Sequence, residues 1–220
     1  MTRDDFLARI AGALGRSGSD VVAPPPEPPS AAVVSPSTAE LDDEGSLVLR
    51  FVERASAVGA IVRRVRGESE ALACAAAVVR EYGLSACAAD DDRARSILEL
   101  SQVAAAPPAE ADVGVSTAWR AVAETGTVVV RAEEGRLVGV LPSVHVVVLR
   151  ERDVRRGLVE LYRDLATPAL DALPSSLVQI TGPSRTADIE MTLTTGVHGP
   201  GTVVVVLVAT AGPRNERSPE

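Results

Sequence analysis

Short valine-rich runs separated by helical patterns constrain the fold of this chain more than any other sequence feature. The runs VHVVVL and VVVVLV are continuous stretches of apolar, mostly β-branched residues, as expected for strands that are buried on both faces. Between such runs lie helical patterns that end at glycines, among them residues 46–59 and 68–83. Helices that alternate with buried strands predict an α/β sheet containing parallel pairs.

The same reasoning assigns the other segments of the chain. The predicted helices lie at 46–58, 68–82, 92–102 and 154–165, with a short one from about Thr186, and the predicted strands at 60–65, 84–89, 128–130, 137–141, 144–149, 176–180 and 203–208. Glu133-Glu134-Gly135 predicts a hairpin turn between the strands at 128–130 and 137–141. Strands this closely spaced indicate an antiparallel part or edge of the sheet.

The amino-terminal part of the chain differs from the rest. Its first 15 residues predict an amphipathic helix, whose apolar face carries Phe6, Leu7, Ile10 and Leu14. The next 30 residues are rich in Pro, Ser and Ala without any period, which predicts an extended linker. Such a helix cannot bury its apolar face alone, so we expect it to dock on its own domain, on a second copy or on a partner. The predicted divisions are a helix at 1–15, a linker at 16–45, an α/β domain at 46–211 and a frayed polar tail at 212–220.

Charge and hydropathy exclude several classes of partner. The net charge of −8 argues against binding of nucleic acid and of anionic membrane surfaces, since both require a basic face. No apolar run reaches the roughly 20 residues that span a bilayer, and the first residues are too charged for a signal peptide. We therefore expect a soluble, cytoplasmic protein.

The types of basic and sulfur-containing residue exclude several kinds of chemistry. All 22 basic residues are Arg, so Schiff-base chemistry on a lysine and a Walker-A phosphate loop are both excluded. The two cysteines, Cys74 and Cys87, lie in apolar segments and form no CxxC pair. Two thiols cannot supply the four usual ligands of an iron–sulfur cluster. Both are predicted to be small buried side chains.

Three motifs in the second half of the chain resemble a known family. They are AETGT at Ala123–Thr127, LPSVHVVV at Leu141–Val148, and ITGPSRTADIE with GVHGP between Ile180 and Pro200. Together and in this order they are similar to the LUD-domain family, most of all to its lactate-utilisation protein C branch, also called YkgG-type. The third motif is the most specific, and the resemblance spans roughly Asp112 to the last strand.

The resemblance implies both a fold and a biological setting. The fold is like that of the NagB/RpiA/CoA-transferase group, an open α/β sheet of mixed parallel strands with an antiparallel part and helices on both faces. The protein C branch is associated with bacterial growth on L-lactate, beside two iron–sulfur proteins implicated in oxidising lactate to pyruvate. Those proteins are therefore the expected partners and hold the clusters, and this chain alone is expected to bind no cofactor.

The loop after the predicted strand at 176–180 is the first candidate site, because ligands of open α/β sheets sit beyond the carboxyl ends of strands. Gly182 permits close backbone approach or a positive φ, and Arg185 is suited to clamp a carboxylate or phosphate of a small organic anion. The alternative is a well-capped helix in which Arg185 pairs with Asp188 or Glu190. The predicted ligand-binding residues are Thr125, Gly126, Thr127, Thr181, Gly182, Ser184, Arg185, Thr186 and Gly199.

Glu124 and His198 are the candidate catalytic residues. Coenzyme A transferases of the same fold group use a covalent glutamate, which makes Glu124 a candidate by analogy of fold, although it could instead bond backbone amides. His198 lies between glycines on a turn, where it could act chemically or merely bond carbonyls that fix the turn. His145, inside an apolar strand, is predicted to be structural, and Trp119 to lie in the core. Two distant histidines predict no metal site.

Two hypotheses of different classes follow. The first is a non-cluster subunit of a lactate-oxidation system, which binds an organic anion or a partner protein and carries no electrons. The second is a free-standing enzyme of the CoA-transferase or isomerase type, with Glu124 or His198 as acid or base. The second would gain support if Glu124, Arg185 and His198 converged within a few ångströms around one pocket. The residues leave open whether the chain is catalytic, and whether it forms homo-oligomers.

Overall fold

The computed structural model of the chain describes residues 44–131, 135–166, 174, 176–187, 193–196 and 198–209, together with residues 5, 8, 9, 12 and 13. The chain separates into two units, Met1–Ser37 and Thr38–Glu220, and the fold below is that of the second. The five described residues near the amino terminus are helical. The apolar face of that helix, most of the linker and the tail at 212–220 lie outside the described residues, so their structures stay predictions.

Four helices and twelve strands make up the described part of the second unit. The helices are α1 (Glu44–Ala57), α2 (Glu68–Tyr82), α3 (Asp92–Ser101) and α4 (Leu158–Ala166). The strands are β1 (Ile61–Val65), β2 (Ser85–Ala88), β3 (Ala104–Ala105), β4 (Val113–Thr117), β5 (Arg120–Val122), β6 (Thr127–Arg131), β7 (Val144–Arg150), β8 (Val154–Arg155), β9 (Leu177–Ile180), β10 (Arg185–Ala187), β11 (Leu193–Thr195) and β12 (Thr202–Val208).

The main sheet has six strands in the order β1-β12-β7-β4-β2-β3, and every neighbouring pair is parallel. The valine-rich strands β7 and β12 lie side by side in its interior, in register from Val144 opposite Thr202 to Arg150 opposite Val208. Their near-continuous hydrophobicity follows from burial on both faces. The predicted α/β class with parallel pairs is confirmed.

A second sheet, in the order β8-β5-β6-β9, supplies the predicted antiparallel part. Its central strand β6 pairs antiparallel with both β5 and β9, whereas β8 joins β5 in parallel. A separate hairpin is formed by β10 and β11. All of these strands come from the segments between β4 and β7 and between β7 and β12, so the second sheet is built from insertions into the main one.

Alternate residues of the main strands face two different cores. Val146 and Val148 of β7 pack with α2 and α3 on one face of the main sheet. Val147 and Leu149 pack on the other face with Phe51 of α1 and with the second sheet. The strand period of two places successive side chains on opposite faces, which explains why both cores need Val or Leu at every position. Helices on both faces were predicted, and this is confirmed.

The predicted strand at 137–141 is wrong. Arg136–Gly139 forms a 3₁₀ helix instead, while Glu133 and Glu134 of the predicted turn lie outside the described residues. Because β6 is already paired on both sides, it offers no edge to a further strand. The 3₁₀ helix packs on β4, where a Cβ at Gly114 would lie 2.0 Å from the Val138 carbonyl oxygen. Strand β4 itself was not predicted, because Gly and Ser interrupt its apolar pattern.

Two predictions about helices are also wrong. The short helix expected from Thr186 is absent where the chain is described, since Arg185–Ala187 is strand β10, paired antiparallel with β11. The helix predicted over 154–165 begins only at Leu158, because Val154 belongs to β8. In both places a strand partner is available in the tertiary structure, and pairing with it replaces the helical hydrogen bonds that the local pattern favours.

Candidate functional site

The predicted motifs meet at the carboxyl end of α1. The turn between β5 and β6 carries Gly126, whose φ is +69° and whose added Cβ would lie 2.3 Å from the Ala55 nitrogen. Gly182, after β9, has a φ of +78°, and its Cβ would lie 2.6 Å from the Val58 carbonyl oxygen. Both glycines are therefore required by a left-handed backbone and by close approach to the end of α1.

A chain of hydroxyl groups joins two of the motifs. The Thr125 and Thr127 hydroxyl oxygens are 2.6 Å apart, and that of Thr127 is 2.8 Å from the Thr181 hydroxyl oxygen. Thr127 is buried, whereas Thr125 and Thr181 are exposed. The buried hydroxyl thus connects two exposed ones through hydrogen bonds, which holds the turn before β6 against the end of β9.

Arg185 is bound to the end of α1. Its Nη2 donates to the Val58 carbonyl oxygen at 3.1 Å, and a Cβ at Gly59 would lie 2.6 Å from that nitrogen. A cation at a helix carboxyl end satisfies an unpaired carbonyl and interacts favourably with the helix dipole. The alternative partners of Arg185, Asp188 and Glu190, lie outside the described residues. The described contact gives Arg185 a structural task, and its side chain remains exposed.

The loop that carries His198 is tied to the loop before β10. Ser184 donates its amide to the Pro200 carbonyl at 2.8 Å, and Gly196 donates its amide to the Ser184 carbonyl at 3.0 Å. A Cβ at Gly199 would lie 3.3 Å from the Ser184 Cβ. The His198 side chain is exposed and makes no hydrogen bond with the described residues. The side chain of Thr186 lies outside the described residues.

Glu124 points away from this cluster. Its amide donates to the Arg156 carbonyl at 3.1 Å, and its Oε2 lies 3.0 Å from where a Cβ at Gly157 would be. The carboxylate therefore faces the connection between β8 and α4. Among the described residues, no contact joins it to Arg185 or His198. The structure thus brings the Thr, Gly, Ser and Arg residues of the motifs together. Among the described residues, the two candidate catalytic side chains, Glu124 and His198, are not in contact with each other.

The cluster lies at the amino ends of the main strands. Gly201 and Thr202 both donate amides to the Ser143 carbonyl, at 3.0 and 3.3 Å, just before β12 and β7 begin. Val58, which Arg185 contacts, likewise precedes β1. The prediction that this loop lies beyond the carboxyl ends is therefore wrong for the main sheet. The strand before the loop, β9, belongs to the second sheet.

His145 is fully buried, as its apolar strand predicts. Its Nε2 is 2.8 Å from the Ser116 hydroxyl oxygen, while its Nδ1 has no hydrogen-bond partner among the described residues. Burial removes water from the charged form and lowers the pKa of His145 from its usual 6.5 to about 4. The ring is therefore neutral at pH 7. With no access to solvent, it is a structural residue of the sheet.

Trp119 is packed between cations. The guanidinium carbons of Arg120 and Arg131 lie 4.8 Å each from the Trp119 ring centre, within the range of a cation–π contact. Arg120 is in turn fixed by Asp164 at 2.6 Å and Asp153 at 3.1 Å. Trp119 is half-buried and packs against a small cluster of the second sheet, so it adds to the core as predicted.

The opposite end of the main sheet holds residues that the sequence did not single out. Arg66 follows β1, while Arg150 ends β7 and Arg152 follows it, and all three line one cavity of about 210 Å³. The sequence feature that could have identified these residues is an arginine at the carboxyl end of each of two predicted strands. Sequence alone does not say that those strands end side by side.

The described part of the chain was also compared with the requirements of a metal site and of a membrane-spanning helix. No group of three or more His, Cys, Asp or Glu side chains is placed to hold a metal there. Both cysteines are free, and burial raises the pKa of the Cys87 thiol to about 11. Cys87 is buried, as predicted, whereas Cys74 is only half-buried. Within the described residues, no helix is long and apolar enough to cross a membrane.

Comparisons with known proteins agree with this picture. The LUD domain family matches residues 108–208, a range that contains every motif described above. Lactate utilization protein C of Exiguobacterium sp. is 39% identical over 102 residues, which are 44% of each chain. The protein of the same name from Geobacillus thermodenitrificans is 34% identical over 142 residues, 58% of each chain. That of Bacillus subtilis is 33% identical over 106 residues, 46% of this chain and 43% of its own.

A solved structure shares the fold. It is the crystal structure of a DUF162 family protein from Deinococcus radiodurans, with a TM-score of 0.57 and 20% sequence identity, covering 76% of this chain and 98% of that one. The chain spans about half the length of the curated relatives that it matches. From the match of the family model and the order of the motifs, we conclude that residues 108–208 are similar to the LUD domain family.

Proposed function

We propose that this chain is a non-cluster component of a lactate-utilisation system. It works beside iron–sulfur proteins that oxidise L-lactate to pyruvate, and it binds one of them or a small organic anion. The names of its relatives support a role in lactate utilisation. The partner proteins are those that the resemblance to the protein C branch implies.

The observation that carries the proposal is the convergence of two of the three motifs, AETGT and ITGPSRTADIE with GVHGP, on one surface. Four exposed side chains of those motifs, Thr125, Thr181, Arg185 and His198, form what we call the motif surface. Hydrogen bonds between the loops and to the end of α1 hold its backbone in place. Packing of a core does not require exposed polar side chains. Their presence together on one surface therefore favours a role in recognising a polar partner over a role in stabilising the fold.

The chain's own residues are unsuited to carrying the electrons of lactate oxidation. That reaction releases two electrons, which need an acceptor such as a flavin or a cluster. A cluster needs about four thiolate ligands, and the chain has two cysteines. One of these, Cys87, keeps its proton at neutral pH because burial raises the pKa of its thiol to about 11. The electrons are therefore assigned to partner proteins.

Co-purification tests the proposal. The tagged full chain is co-expressed with the two iron–sulfur lactate-utilisation proteins that are the proposed partners, and the retained proteins are quantified. We expect both, or one of them, to be retained by the native chain and to be lost on the double substitution Arg185→Gln and His198→Ala. Arg136→Gln is the matched control, since Arg136 is an exposed arginine in the 3₁₀ helix, outside the motif surface. Equal retention by all three chains, or by none, would reject the motif surface as the docking site.

The alternative of a free-standing CoA-transferase or isomerase gains no support from the geometry. Convergence of Glu124, Arg185 and His198 around one pocket would have supported it. In the described residues, the Glu124 carboxylate faces Gly157, whereas Arg185 faces the end of α1. We therefore carry forward the subunit proposal alone.

A further inference from the structure

A cavity of about 210 Å³ opens at the carboxyl ends of three neighbouring strands. Val65 of β1 pairs with Val208 of β12, and Val208 pairs with Arg150 of β7, so the three strands end at the same level. The lining includes Arg66, Gly67, Glu68, Arg150, Arg152 and Val208. In open α/β sheets this edge is where ligands bind, because the loops that follow the strands converge there.

The lining is basic on a chain that is acidic overall. Three arginines face one glutamate in the cavity, whereas the whole chain carries a net charge of −8. The charge of Glu68 is offset by Arg93, which is not among the lining residues and whose Nε lies 2.5 Å from a Glu68 carboxylate oxygen. An excess of positive charge therefore remains at the cavity mouth.

The guanidinium groups have donors to spare. Arg152 makes no side-chain hydrogen bond or ion pair within the described part of the chain. Arg66 is 94% exposed and pairs only loosely with Glu70, at 3.5 Å. The distance of 3.7 Å between Arg150 and Glu68 is longer than a hydrogen bond. All three side chains can therefore turn towards a ligand without breaking a buried contact.

We propose that this cavity binds a small oxyanion, the carboxylate or phosphate group of a compact metabolite. Arginine suits both groups, because its planar guanidinium can donate two parallel hydrogen bonds to them. The volume is below that of pockets for drug-sized ligands, which start near 300 Å³, so the ligand has few heavy atoms. The cavity is distinct from the motif surface, because β12 separates the two by its full length, on the order of 20 Å.

Calorimetry on the full chain is the direct test. Inorganic phosphate, L-lactate and pyruvate are each titrated into the protein. Sodium chloride of equal ionic strength, titrated in the same way, is the blank. We expect saturable binding of at least one probe, weakened as ionic strength rises because the attraction is between charges. A stronger response to phosphate than to the two carboxylates assigns a phosphate-bearing ligand, and the reverse order assigns a carboxylate.

Gly67→Asp is the most informative variant. Gly67 has an extended backbone, with φ −173° and ψ 178°, and an added Cβ would meet nothing within 4 Å. Asp is also a preferred residue immediately before a helix, and Gly67 immediately precedes α2. The substitution should therefore leave the melting temperature unchanged or slightly higher, while its negative charge weakens binding of the anion roughly tenfold or more.

Arg152→Gln should weaken binding to a similar degree, and Arg136→Gln removes the same charge from an exposed arginine outside the cavity. The proposal is overturned if no probe binds the native chain, if Gly67→Asp and Arg152→Gln bind as tightly as the native chain, or if Arg136→Gln weakens binding equally. Such a failure would leave the co-purification result untouched, because the motif surface shares no residue with the cavity.

Discussion

At the scale of single residues, the contact between Ser116 and His145 places two polar side chains inside the core, which the fold tolerates only under specific conditions. The main sheet places the two on neighbouring strands, on the face that packs against an otherwise apolar core of Val, Leu, Ala and Phe side chains. Their contact of 2.8 Å satisfies Nε2, whereas Nδ1 packs near Gly139, where a Cβ would lie 3.4 Å away. Burying an imidazole this way is tolerable only while it is neutral.

Stability should therefore fall as the pH is lowered past the ordinary pKa of histidine. Burial lowers the pKa of His145 from 6.5 to about 4 in the folded chain, so the unfolded chain binds the proton first as the pH falls. The stability contributed by neutral His145 is complete above pH 6.5 and is lost between pH 6.5 and 4, by about 3 kcal/mol in all. Urea unfolding of the native chain at pH 7.5, 5.5 and 4.5 measures this loss.

The other histidine provides the control for this prediction. His145→Gln should flatten the pH dependence between 6.5 and 4, whereas His198→Gln should keep it, because His198 is exposed. An unchanged pH dependence in His145→Gln would show that the carboxylates alone cause the acid sensitivity.

At the scale of elements, the carboxyl end of α1 organises the motif surface. Three connections contact it: the turn at Gly126, the loop at Gly182 and the side chain of Arg185. The positive φ at both positions explains why each motif has a glycine directly after its threonine, since other residues rarely adopt this conformation. The position of α1 and the shape of the motif surface are thus set by the same contacts.

Gly126→Ala should be strongly destabilising. The new Cβ would meet the backbone of α1 at 2.3 Å and would also force an alanine into a left-handed conformation. We expect a loss of about 2–4 kcal/mol of unfolding free energy, from overpacking and backbone strain together. Gly67→Ser is the control, because its Cβ enters open space, and it should change stability by less than about 0.5 kcal/mol. Equal melting temperatures for the two variants would contradict this packing.

Arg185→Gln separates the structural task of Arg185 from its part in recognition. Losing the cation at the end of α1 should lower the free energy of unfolding by about 0.5–1 kcal/mol. Arg136→Gln should lie within about 0.5 kcal/mol of the native chain, as is usual for surface substitutions. Chemical denaturation of the three chains measures the difference. An Arg185→Gln chain as stable as the native one would leave the residue with recognition as its only role.

At the scale of the whole molecule, the main sheet separates two polar regions. Its amino edge carries the motif surface, and its carboxyl edge carries the arginine-lined cavity. The insertions between main-sheet strands, which are the second sheet, the β10–β11 hairpin and the loop before β12, supply the residues of the motif surface and leave the parallel core intact. The two proposed sites therefore lie at opposite edges of one sheet.

The isolated chain should not oxidise lactate. Purified alone, it should be colourless and should not reduce a soluble dye with L-lactate, because we propose that the acceptor of the reaction's two electrons is held by the partner proteins. The measurement is dye reduction monitored by absorbance, with the same chain mixed with the two iron–sulfur proteins as the positive control. Robust dye reduction by the isolated chain would overturn the subunit proposal.

The amino-acid sequence by itself determined the elements that have strong local patterns. Helices α1 to α3 and strands β1, β7 and β12 follow from periodicity, from the glycines at helix ends and from continuous apolar runs. The motifs around Thr127 and Arg185 were also sufficient to indicate the family. These features need only neighbouring residues, so a single sequence is enough to find them.

Tertiary structure alone decided what depends on distant partners. Whether residues 136–141 become a strand depended on a free edge of β6, which β5 and β9 had already taken. Whether Arg185 begins a helix or a strand depended on β11. The arginine cavity joins residues more than 80 positions apart, and it exists because β12 lies between β1 and β7. Strand order is a property of the whole packed sheet, and no local pattern encodes it.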